Sequence, residues 1–115
     1  MQHDPMISAY VECALWAGTD GENPLDDTYS VSDLSAEALA EITQDCEAFA
    51  ADNADDLADW TPEQAGHDFY LTRNGHGTGF WDRGHEAGDR LSAAAKVYGT
   101  SDLYPGDDGA LYLSH

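Results

Sequence analysis

From Met1 to Thr72 the chain holds seventeen Asp and Glu and not one Lys or Arg, which leaves six acids and all four bases to residues 73–115. The first stretch therefore carries −17 of the formal −19. One-sided charge repels itself and opposes the compact state, so small domains normally mix the two signs. A chain that does not do so points to something outside the fold that uses the charge. An acidic binding protein answers that description better than an enzyme does.

The length, 115 residues, fits one domain able to bury a core without covalent staples. We expect a helical acidic part over residues 1–65 and a hairpin–helix–hairpin part over 66–115. Three Trp, six Tyr and three Phe within 42% hydrophobic residues argue against a disordered acidic tail. No apolar run approaches the roughly 20 residues of a membrane span, and no basic segment precedes an apolar one at the N-terminus, so a soluble, cytoplasmic protein is expected. Cys13 and Cys46 show no disulfide framework and are expected to be buried thiols. Direct nucleic-acid binding needs Lys and Arg against phosphates, and anionic membranes select the same residues, so both are disfavoured as partners. What remains is a basic protein surface, a cation, or a salty environment in which the charge only solvates the fold.

Asp4-Pro5 followed by Ile7, Tyr10, Val11, Ala14 and Leu15 predicts a short helix closed at Gly18, although the alternation Ile7, Ala9, Val11, Cys13, Leu15 also fits a strand. Residues 19–34 read as a long acidic connection. Leu39, Ile42, Cys46, Phe49 and Leu57 predict a helix from Ser35 to Trp60, with Ser35 as N-cap and Glu37 in the first turn. Phe69 and Leu71 on one parity, Tyr70 on the other, then Asn74-Gly75 and Phe80-Trp81, predict a β-hairpin around a Gly-rich turn. A helix over 85–98 and a final hairpin around PGDDG complete an α+β fold: a small antiparallel sheet of two hairpins packed with two or three helices.

The run HDFYLTRNGHGTGFWDRG at residues 67–84, followed by LYPGDDGALYL, resembles a family of small uncharacterised proteins of tailed bacteriophages. The resemblance covers about residues 66–113 and implies a phage accessory protein, with no catalytic residue or ligand to carry over. Phage proteins of this size and acidity include inhibitors of restriction enzymes, CRISPR effectors and DNA-repair enzymes. By analogy the resemblance implies an inhibitor acting in the host cytoplasm.

Carboxylates one helical turn apart lie roughly 5–6 Å from each other, close to the spacing of successive phosphates. The 35–60 helix would therefore present a phosphate-like row to a basic host protein that normally binds nucleic acid. The residues expected to meet that partner are Asp26, Asp27, Glu41, Asp45, Asp52, Asp55, Asp56 and Asp59. A solvated surface in an acidic proteome is the plain alternative, and a phage structural or assembly factor another. His67, His76 and His85, with Asp68 and Asp82 near them, offer metal-ligating types and make a metal-binding protein the leading rival reading, although their nine-residue gaps match no metal signature. NGHGTG lacks a phosphate-loop ending, and the acidic turns at residues 20–23 and 107–109 miss the calcium-loop pattern. No cofactor is expected. Asp68, Arg73, His76, Asp82 and Arg83 include acid–base types without a nucleophile beside them, and the arginines read as partners for acids. A self-repelling monomer and a dimer that hides aromatic surface both fit the sequence.

Overall fold

A computed structural model describes residues 5–17, 19–20, 23–75, 79–80 and 86–114. In chain order the elements are α1 (Pro5–Ala17), β1 (Thr19–Asp20), β2 (Asn23–Pro24), 3-10 turns at Leu25–Asp27 and Val31–Asp33, α2 (Ala36–Asp52), α3 (Pro62–Arg73), α4 (Glu86–Val97), β3 (Asp102–Pro105) and β4 (Leu111–Ser114). The class is α+β, as expected. Its strands, however, form two separate antiparallel pairs, β1 with β2 over two residues and β3 with β4 over four.

The ambiguity over the first segment resolves to a helix. In α1, Met6, Ile7, Ala9, Tyr10, Val11, Cys13, Ala14 and Leu15 are all buried, so apolar residues surround most of the helix. A helix covered nearly all round has no single apolar stripe, and its sequence then fits a period of two as readily as one of 3.6.

The hairpin expected at 67–84 is the main correction, because residues 62–73 are helical. Thr61 caps α3 by accepting from the Gln64 amide at 3.1 Å, Gln64 returns a bond to the Thr61 amide at 3.2 Å, and Pro62 occupies the first turn. This reciprocal cap with a following proline is a strong start signal. Both parities of the supposed strand are buried, since Phe69 and Tyr70 are each fully enclosed. Asn74-Gly75 closes the helix instead of turning a hairpin. The Asn74 side chain donates to the carbonyls of Tyr70 at 3.0 Å and Ser101 at 3.2 Å, and Gly75 takes the left-handed φ of 70° that commonly ends helices. Residues 76–78 and 81–85, the rest of that expected hairpin, lie outside the described residues.

Gly66, which read as the start of a new region, is where α3 crosses α1. A methyl group there would collide with the Met6 carbonyl oxygen and stand 2.9 Å from the Tyr10 nitrogen. Absence of a side chain lets the two backbones approach, and α1 against α3 is the most extensive packing between elements. Around this crossing Phe49 stacks on Phe69 at 4.3 Å between centroids, Phe80 lies 5.5 Å from Phe49, and Tyr10 packs edge-on to Tyr70 at 5.4 Å. The final hairpin appears where expected and is tied to α2. The Leu111 carbonyl accepts from the Ser35 amide at 2.8 Å, immediately before the N-cap where Ser35 Oγ accepts from Ala38 at 3.1 Å.

Candidate functional site

The acidic helix is shorter than its apolar repeat predicts. Ala38, Ile42, Cys46 and Phe49 form its buried face, but α2 ends at Asp52 and residues 53–59 continue as turns. Asn53 stops it by donating its side-chain amide to the Phe49 carbonyl at 3.0 Å. Asp is a weak helix former, and Asp52, Asp55, Asp56 and Asp59 would crowd the negative end of the macrodipole. Asp52 and Asp56, and Asp55 and Asp59, therefore do not stand one turn apart on a regular helix.

Two of the expected partner-binding acids are engaged within the fold. Asp45, on α2, accepts from Arg73 Nη1 at 2.9 Å, with the arginine side chain 3% and the aspartate side chain 23% exposed. Arg73 also donates to the Gly99 carbonyl at 2.9 Å, the Tyr98 carbonyl at 3.2 Å and the Tyr10 hydroxyl at 3.3 Å, and its guanidinium lies over the Phe69 and Tyr98 rings. Burial pushes the Tyr10 hydroxyl far above its ordinary range, against the opposing pull of Arg73. Asp56 accepts from Arg90 of α4 at 2.8 and 3.0 Å, a bond that holds its carboxyl below the ordinary range. Bases absent from the first 72 residues thus reach back from α3 and α4 to the acidic segment. The expectation that arginines partner acids holds for Arg73.

The other expected acids divide by exposure. Asp52, Asp55 and Asp59 are exposed, and Glu41 is half-buried beside Tyr104 and Tyr112. Asp26 is exposed in the 25–27 turn, and Asp27 contributes its backbone to that turn while its side chain is outside the description. Glu37 and Glu47 are exposed on α2 as well. Asp68, which read as a loose metal ligand, is instead buried and accepts from the Trp60 indole at 2.9 Å. Cys13 and Cys46 are buried thiols, as expected.

Sequence reasoning missed a cleft of about 530 Å³ between α1, the 25–27 turn and α3. Leu15, Trp16 and Leu71 form its apolar wall, Glu12 and Asp26 bring carboxylates, and His67 and Cys13 complete the lining. Trp16 is 67% exposed, whereas Trp60 is buried. Burial, and then the nearby Asp68 charge, push the Cys13 thiol up to about 11, so at neutral pH it is a protonated, weakly reactive group. His67 is exposed. His76 and His85 lie outside the described residues, and among the described residues no group of three His, Cys, Asp or Glu is placed to hold a metal. No helix among them is long and apolar enough to cross a membrane.

Compared with protein-family models, curated proteins and solved structures, the chain finds no match in any of the three.

Proposed function

We propose that this protein is a phage-encoded acidic inhibitor that binds a basic, nucleic-acid-binding protein in the host cytoplasm and occludes its nucleic-acid site. The observation that carries the reading is that Glu47 and Asp52 on α2, and Asp55 and Asp59 in the turns that follow it, are all exposed. Carboxylates in that setting act as a concentrated negative surface, which steers association with a basic groove and is screened by salt. The mechanism is electrostatic attraction followed by steric exclusion, with no turnover.

Asp45 and Asp56 do not belong to this contact surface, because each neutralises an arginine of its own fold. The phosphate-like row is accordingly shorter than the full 35–60 helix implied. Asp26 supports it from a separate place in the chain. Resemblance of residues 66–113 to tailed-phage proteins supports the host-directed part of the reading, namely restriction, CRISPR or repair enzymes as targets.

The test is capture from host lysate with tagged wild-type protein and with the triple variant Asp52→Lys, Asp55→Lys, Asp59→Lys. Recovery of one nucleic-acid-binding protein by the wild type, with at least about tenfold less by the variant, is the expected outcome. Equal recovery by both would refute the role of this face.

A further inference from the structure

We propose that the cleft between α1, the 25–27 turn and α3 receives an arginine side chain from a basic partner, stacked on Trp16. This rests on the charge-led reading above and adds to it a discrete anchoring site, on a different part of the molecule from the end of α2.

Three properties of the cleft argue for that occupant. Its volume, about 530 Å³, lies within the range of built ligand pockets and far exceeds a packing defect. Trp16 is 67% exposed in a domain whose Phe49, Phe69, Phe80, Tyr10, Tyr70 and Trp60 are all buried, so a large aromatic side chain of the same kind as one used in the core has been left at the surface. Tryptophan is the strongest ring for attracting a cation, and aromatic anchors in pockets dominate protein interfaces. Finally, the charge is complementary: Glu12 and Asp26 line the same cleft, and no Lys or Arg is among its lining residues that the structure describes.

An arginine fits these features better than a lysine or a purely apolar side chain. Its planar guanidinium stacks on an indole and pairs with carboxylates, while its three methylenes lie against Leu15 and Leu71. A wholly apolar guest would desolvate Glu12 and Asp26 without compensation. A compact, strongly hydrated ammonium would gain less from the ring.

The experiment is a titration of isotopically labelled full-length protein with a Gly-Arg-Gly-Arg-Gly peptide and with its lysine counterpart at low salt, read at the Trp16 indole resonance. Saturable shifts at Trp16, with the arginine peptide at least about threefold tighter and binding lost in Trp16→Ala, are expected. Trp16 lies outside the core, so Trp16→Ala should keep the wild-type circular dichroism, and Trp16→Phe should restore part of the affinity. Shifts confined to the Asp52–Asp59 region, equal binding by Trp16→Ala, or equal affinity for both peptides would overturn the anchor while leaving charge-led binding standing. Loss of peptide binding in the triple Asp52, Asp55 and Asp59 variant but not in Trp16→Ala would likewise assign the cation to the other surface.

Discussion

Arg73 was one arginine among several acid–base types in the sequence, with nothing to tell where its charge went. In the fold it meets Asp45 at 2.9 Å, two carbonyls and a tyrosine hydroxyl, between two aromatic rings. A buried ion pair is a weak net stabiliser, yet removing one member strands the other, and the stranding is what costs. Asp45→Asn leaves the enclosed guanidinium with neutral acceptors only among the described residues. It should destabilise the protein by about 3 kcal/mol in urea unfolding. A loss below about 0.5 kcal/mol would mean that the pair carries no structural weight and would return Asp45 to the pool of partner-facing acids. No local pattern reveals this contact, because twenty-eight residues separate its members. The same holds for Asp56 and Arg90, which are thirty-four apart. Residue type showed that the acids were too many for local partners, and only the tertiary path showed that Asp45 and Asp56 had found distant ones.

Among the elements, those with one clear apolar stripe and a cap were legible. Ile42, Cys46 and Phe49 gave the body of α2, Ser35 gave its start, and the Pro-Gly-Asp-Asp-Gly turn gave the last hairpin. Elements buried on several sides were not legible in the same way. The helix α3 buries Ala65, Gly66, Asp68, Phe69, Tyr70, Thr72 and Arg73, and because Gly66 and the polar Asp68, Thr72 and Arg73 share the buried face its hydropathy has little 3.6-residue contrast to detect. Its cap, Thr61-Pro62-Glu63-Gln64, was present in the sequence and was the signal that distinguished helix from strand. Gly66 makes the helical assignment testable. In an exposed helix Gly→Ala would stabilise by up to about 1 kcal/mol through backbone entropy. At this crossing the added methyl meets the backbone of α1, and overpacking of that kind costs about 1–3 kcal/mol. Gly66→Ala should therefore lower the melting temperature, whereas a surface strand or loop at this position would tolerate it.

The whole molecule spans 43 × 31 × 21 Å and keeps a formal charge of −19. Self-repulsion on that scale predicts that added salt raises thermal stability, since screening shortens the reach of exposed charges to about 8 Å at physiological ionic strength. Alkali should act in the opposite direction. Burial holds Cys13 up to about 11 and pushes Tyr10 and Tyr70 higher, Tyr70 also through its 2.6 Å bond to Asp102. The unfolded chain releases these protons from about pH 9 upward while the folded chain retains them, so the unfolded state binds fewer protons and stability falls as pH rises. Tyr70→Phe should flatten that decline relative to wild type. A melting temperature unchanged between pH 8 and pH 10.5 in both proteins would contradict the burial of these groups.

Charge at this scale also bears on function. The exposed acids at the end of α2 and the Trp16 cleft are separate features. The most direct measurement is competition: immobilise the protein, load the partner captured from lysate at low salt, and challenge the complex with duplex DNA and with single-stranded nucleic acid. Elution of the partner by nucleic acid, together with its release as salt rises, is the predicted result, because the two ligands would occupy one basic surface. A stable ternary complex with nucleic acid, or capture indifferent to salt, would contradict mimicry of the phosphate backbone.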